Sequence, residues 1–195
     1  MDALDTETRI LTVARDLFIE RGYHDTSMST IAQKADLGKG NLYWHFDSKD
    51  DLFQKMVTRE GRVVLEELKK LSESDLPVEE VLKKFIRIRI KRIAKHRQSS
   101  YLLMDNENFV NKEFKKTMLK IYFKIIDQLE KIIKQGIEEE IFETDRPHKT
   151  AAAIMGTING LCSVRTSGPK EDFNVDENTE FVFRLIMDGI NNKGV

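Results

Sequence analysis

Apolar residues recur along most of this chain at intervals of three and four, the spacing of helices with one buried face. Ile10, Val13, Ala14, Leu17 and Phe18 predict a helix over residues 5–21, closed by Gly22 where a C-terminal cap belongs. Met28, Ile31, Ala32 and Ala35 predict a much shorter second helix, with Thr26 and Ser27 before it as N-cap candidates. Asp36-Leu37-Gly38 breaks the pattern, and a third short helix over 39–46 turns Leu42 and Phe46 to one side. Ser48 with Asp51 is a weaker form of the capping box. From there Leu52, Phe53, Met56, Val57, Val64 and Leu68 carry a fourth helix to about residue 71.

After a connector, Pro77 suits the first position of a fifth helix reaching about residue 97. A short segment, 99–109, precedes a long helix from 111 to about 141. Arg146-Pro147 opens an eighth helix to about residue 165, and a polar loop with Gly168-Pro169 leads to a last one over 176–190. Strand alternation and internal repeats are not found. The expectation is an all-α fold of about nine helices, with a helix-turn-helix domain over 1–53 and a larger helical domain over 54–195.

Composition narrows the class without deciding it. The chain has 195 residues, 40% apolar and 33% charged, with 10 Gly and 3 Pro, which favours packed helices over disorder or a turn-rich β fold. No apolar run approaches the roughly 20 residues that span a bilayer, and no signal-peptide pattern opens the chain, so no membrane partner is expected. Cys162 is the single cysteine, which excludes an internal disulfide and fits a reducing cytoplasm. Net charge is only −1 and residues 1–52 are acid-rich, so a nucleic-acid partner must be argued from placement of the positive groups.

That placement is specific. Two short helices joined by a tight turn behind a longer one make a tri-helical helix-turn-helix unit, whose second short helix enters the major groove. Lys39, Asn41, Tyr43, Trp44 and His45 offer donors and ring faces there, while Leu42 and Phe46 anchor from behind. Gly40 leaves the backbone bare for close approach. Lys49 opens the next helix, where its charge and neighbouring N–H groups suit a phosphate.

The run from Gly38 through Lys39, Gly40, Asn41, Leu42, Tyr43, Trp44 and His45 to Phe46, with Ser48-Lys49 and Leu52-Phe53, resembles the tetracycline-repressor (TetR) family. So do Gly22-Tyr23, Thr26-Ser27-Met28 and 31–35; the resemblance covers residues 9–53 at the family's spacing, with Gly38-Lys39 departing slightly at the turn. It implies a nine-helix protomer, a dimer made through the last two helices and a ligand pocket in the larger domain. It also implies DNA contact by Thr26, Lys39, Gly40, Asn41, Tyr43, Trp44, His45 and Lys49, beside which Ser27 stands as a further candidate.

Beyond residue 53 the resemblance gives layout only. Gly156 and Gly160, four apart in an apolar helix, call for close helix packing, and the stripe Phe181, Leu185 and Ile186 needs a partner; Gly156, Gly160, Phe181, Leu185 and Gly189 are the expected dimer seam. Phe85, Ile88, Tyr101, Met104, Phe109, Tyr122, Phe123, Ile126 and Cys162 give aromatic and sulfur-bearing surface for a pocket, with Asn159 and Arg165 as its polar members. Basic residues run through 83–97 without an acid; a solvated face explains them, and attraction for an anionic effector is the sharper alternative. His24, His45, His96 and His148 are scattered, and no nucleophile elbow, phosphate loop or dinucleotide fingerprint occurs, so no catalytic site, metal or cofactor is expected. The expected function is a homodimeric repressor of a palindromic DNA operator, released by a small hydrophobic or amphipathic effector. An activator or a nucleoid or division factor on the same fold, or a helical carrier or enzyme with a degenerate DNA-binding head, are the alternatives.

Overall fold

The computed structural model describes residues 3–95, 111–164 and 173–190. Among these residues it is all helical: α1 Ala3–Arg21, α2 Met28–Lys34, α3 Lys39–His45, α4 Lys49–Ser72, α5 Val78–Lys95, α6 Lys112–Glu138, α7 Pro147–Val164 and α8 Val175–Ile190. The segment expected over 99–109 lies outside the described residues, as do Tyr101, Met104, Phe109 and Arg165. The expected eighth and ninth helices are therefore α7 and α8. The chain divides into two compact units, Met1–Arg62 with His96–Met118, and Val63–Lys95 with Leu119–Val195.

In the first unit, short-range chemistry sets where each helix stops. Gly22 adopts a φ of 88° and its N–H closes on the Phe18 carbonyl at 3.1 Å, so α1 ends where a side chain would be strained. Ser27 caps α2 by accepting from the Thr30 N–H at 3.0 Å. Asp36 then takes a φ of 53°, and Leu37 N–H returns to the Ala32 carbonyl at 2.9 Å, which turns the chain sharply into α3. At the start of α4, Ser48 Oγ accepts from Asp51 N–H at 3.0 Å while the Asp51 carboxylate reaches back to Asp47 N–H at 3.2 Å.

These helices bury one shared core. Ile10, Ala14, Phe18, Ile31, Leu42, Phe46, Leu52 and Phe53 are all essentially inaccessible to solvent. Phe18 and Phe53 meet edge to face with centroids 5.5 Å apart, and Tyr23 lies 5.3 Å and 5.2 Å from the two rings. A fully buried Leu or Phe contributes roughly 1.5–3 kcal/mol, so Leu42 and Phe46 hold the seven-residue α3 far more firmly than its own propensity would.

In the second unit, α5 packs chiefly against α8 and also against α7. Phe85 and Ile90 of α5, Leu129 and Ile132 of α6, Met155 and Ile158 of α7 and Val182 of α8 are fully buried. Asn174 caps α8, accepting from the N–H groups of Asp176 and Glu177. Helix α6 ends at Glu138, earlier than expected, because Glu140 takes a φ of 59° and the N–H groups of Ile141 and Phe142 both return to the Gly136 carbonyl. The Phe142 ring occupies the space where a Cβ on residue 136 would stand, so this position needs glycine.

Two sequence expectations are corrected here. Phe123, expected to face a pocket, is 50% exposed: at about 100° per residue it falls well off the face that Ile121, Ile125, Leu129 and Ile132 bury. Ile186, expected to share a stripe with Phe181 and Leu185, is buried in the core while those two stand outside at 58% and 54% exposure.

Candidate nucleic-acid interface

Because Leu42 and Phe46 point into the core, the rest of α3 faces outward. Lys39, Gly40, Asn41, Tyr43 and Trp44 are all exposed, Tyr43 at 45% and Trp44 at 74%. A large apolar ring left that open is unusual enough to ask for a partner. His45 is half-buried, its ring edge-on to Trp44 at 4.6 Å. The Lys39 ammonium stands 5.9 Å from the Tyr43 ring one turn on, within reach of a cation–π contact. Beyond its own helix and chain neighbours, no described residue comes within 4 Å of a Cβ built on Gly40, so the described fold does not require glycine there.

Lys49 is half-buried beside the same surface. Its ammonium lies 3.4 Å from the His24 carbonyl and 4.2 Å from the Tyr23 ring centroid. Burial lowers its pKa from the usual lysine value, opposed by the charges of Asp50 and Asp25. Tyr23 donates its hydroxyl to Asp50, and burial together with that bond pushes its pKa far above the usual phenol value. The turn before α2 is thus tied to the start of α4 through Tyr23 and Lys49. Ser27 is exposed but already caps α2. Thr26 differs from the expectation: its side chain is wholly buried and its hydroxyl donates to the Gly22 carbonyl at 2.8 Å, so it braces the turn from inside.

Residues 10–56 match the family model for bacterial regulatory proteins of the tetR family, and residues 75–190 match that of the tetracyclin repressor-like C-terminal domain. The chain belongs to the TetR family. It is a helix-turn-helix transcriptional regulator, and α2 with α3 is the helix-turn-helix. Among curated relatives, the transcriptional regulator AcrR of Shigella flexneri is 29% identical over 168 residues, 82% of this chain and 78% of that protein. A solved transcriptional regulator from Saccharomonospora viridis in complex with choline superposes with a TM-score of 0.80 at 19% identity, over 96% of this chain and 98% of the other. FadR of Bacillus subtilis in complex with stearoyl-CoA gives a TM-score of 0.72 at 20% identity, over 94% and 99%. At such identities these two structures speak to the fold.

The residues expected to line a ligand pocket in this TetR-family chain are only partly gathered. Phe85 is sealed in the core of the second unit, Ile88, Tyr122 and Asn159 are half-buried, and Cys162 is buried. Burial pushes the Cys162 thiol up to about 11, against the pull of the neighbouring Arg89 charge, so it is protonated at neutral pH. A groove of about 470 Å³ lies in the first unit instead, along α1, α4 and the start of α6, with Leu11, Gln54, Thr58 and Phe114 on its walls. None of the expected pocket residues that the structure describes lines it.

One grouping escaped the sequence reading. Asp127 and Glu130 of α6 and His148 of α7 bring ligand-type atoms within 4.8 Å of one another. The Glu130 carboxylate already holds His148 at 2.7 Å and Lys134 at 2.8 Å, and these bonds keep its pKa below the usual carboxylate range. No local spacing announces the cluster, since it forms only when α6 and α7 pack.

Proposed function

We propose that this regulator is a ligand-responsive repressor, binding a palindromic operator as a homodimer in the cytoplasm and released by a small hydrophobic or amphipathic effector. Its DNA-binding part is residues 1–53, and residues 54–195 bind the effector and dimerise. The observation that carries the reading is α3: a seven-residue helix pinned by Leu42 and Phe46 whose outward side is Lys39, Asn41, Tyr43 and Trp44. Asn41 and Lys39 suit base edges, Tyr43 and Trp44 suit sugar and methyl surfaces, and Lys49 with His45 suits phosphate. The open space over Gly40 fits close approach of a backbone.

Dimerisation has support of its own. Phe181 and Leu185 stand exposed one turn apart on α8, and Gly156, Gly160 and Gly189 are exposed, with no described residue outside their own helices within 4 Å of where a Cβ would stand. Two helices that present bare backbone beside large apolar side chains fit a two-fold seam, and a two-fold protein fits a palindromic site. An effector that binds the free dimer better than the DNA-bound one then lowers operator affinity by the same factor.

Selection of bound sequences from a random duplex library tests this. A two-fold symmetric site should emerge, and Tyr43→Ala should lose tight binding to it while keeping helicity. A library that returns no preferred sequence, with no salt-dependent binding to any duplex, would instead leave a carrier with a helix-turn-helix remnant.

A further inference from the structure

Helix α5 carries basic residues at 83, 84, 87, 89, 91 and 92 with no acid between them. Four of them find a carboxylate partner directly: Lys83 meets Glu180 at 2.6 Å, Lys84 meets Glu80 at 2.7 Å, Arg87 meets Asp176 at 2.8 Å and Arg92 meets Glu67 at 3.2 Å. Lys91 adds its charge to the field on Asp176. These five make the solvated, balanced face that the sequence predicts.

Arg89 is different. Its Nε is sealed from solvent and has no hydrogen-bond partner among the described residues. Among the described residues the titratable groups that face it are Tyr122 of α6 and Cys162 of α7, a phenol and a thiol rather than carboxylates. Burial lowers the Arg89 pKa and pushes the Cys162 thiol up, so that thiol brings no negative charge at neutral pH. Arg89 as a whole is half-buried, with its Nε sealed beside α6 and α7, and no carboxylate among the described residues pairs with it.

A charge drawn largely out of water with no partner is costly, and an arginine cannot relieve it by losing its proton near neutral pH. A methionine or leucine would fill the same place without that penalty. One turn away the surroundings are apolar, with Phe85 on α5 and Ile158 on α7 both fully buried. A planar guanidinium presents paired N–H donors that match a carboxylate or phosphate edge.

We infer that Arg89 is the anchor for an amphipathic organic anion, whose carboxylate- or phosphate-type head group it binds while an apolar body lies among Phe85, Tyr122 and Ile158. This rests on the reading that the larger domain binds an effector, and it names that effector's chemical class. The head group supplies a counter-charge that none of the described residues provides, so occupancy stabilises the arrangement around α5, α6 and α7.

The test compares four ten-carbon probes at matched concentration on the full-length protein: decanoate, decyl phosphate, decanol and decyltrimethylammonium. Calorimetry and thermal shift read binding, and release of the selected duplex reads function. Decanoate or decyl phosphate should bind and raise the melting temperature, and whichever arm is stronger tells carboxylate from phosphate. Decanol and the cation should bind far more weakly. Arg89→Met should weaken anion binding at least about thirty-fold, keep duplex affinity without ligand, and melt no lower than the parent. Arg89→Lys should keep the preference for anions at reduced affinity. Equal binding of all four probes, no binding of either anion, or undiminished anion binding by Arg89→Met would overturn the inference. If anions bind through Arg89 yet never release DNA, the anion site stands and the ligand-responsive reading falls. If decanol or the cation releases DNA equally from the parent and from Arg89→Met, that reading stands and the anion site falls.

Discussion

The hydroxyl of Thr26 donates to the carbonyl of Gly22, 2.8 Å away, and comes within 3.3 Å of the Leu17 carbonyl. Thr26 is therefore an internal brace between the end of α1 and the start of the helix-turn-helix, where the family resemblance implies a DNA contact. Thr26→Val keeps the shape and removes the donor, leaving the Gly22 carbonyl without this bond. A loss of about 1–3 kcal/mol in urea unfolding is expected, with the duplex affinity of the folded protein unchanged. Unaltered stability combined with lost duplex affinity would return Thr26 to the DNA-contacting set.

The contrast between Thr26 and Ser27 shows what a sequence makes legible. Helix ends depend on a few consecutive residues, so Gly22 as a cap, Ser27 as a cap and the Ser48–Asp51 pair could be read directly and are present. Which side of a helix is buried is also legible where one face dominates, as for Leu42 and Phe46. It is not legible where apolar residues surround the helix. Phe123 and Ile186 changed sides because the packing of neighbouring helices, which no local spacing encodes, chose among several apolar stripes. Arg89 was hidden for the same reason: in sequence it is one of a run of bases, and only packing separates it from Arg87, which reaches Asp176.

Lys49 gives a prediction about mechanism of contact. Its ammonium is held at the His24 carbonyl and over the Tyr23 ring, which fixes its position beside α3 at little further entropic cost. A lysine so placed suits phosphate and carries no base preference. Lys49→Ala should weaken the selected duplex and random duplex by similar factors, and reduce the slope of log affinity against log salt by about one. A loss confined to the selected sequence would make Lys49 a base reader instead.

The exposed edge of α8 supplies the last prediction. Phe181 and Leu185 are more than half exposed, whereas Val182 and Ile186 beside them are buried, so α8 presents one apolar side to its own core and another to solvent. Burying a Leu or Phe side chain contributes roughly 1.5–3 kcal/mol, and a two-fold seam would bury each of these twice. Glycines 156 and 160 on α7 would let a second helix approach its backbone closely, and no described residue of the protomer fills that space. Phe181→Glu with Leu185→Glu should therefore yield a monomer at micromolar concentration by sedimentation equilibrium, with unchanged helicity because neither side chain belongs to the protomer's core. The monomer should also lose the symmetric duplex, since one α3 reaches a single half-site, while keeping weak salt-dependent binding to random DNA. A parent protein that sediments as a monomer, or a double variant that still forms a full-strength dimer, would remove α7 and α8 as the seam.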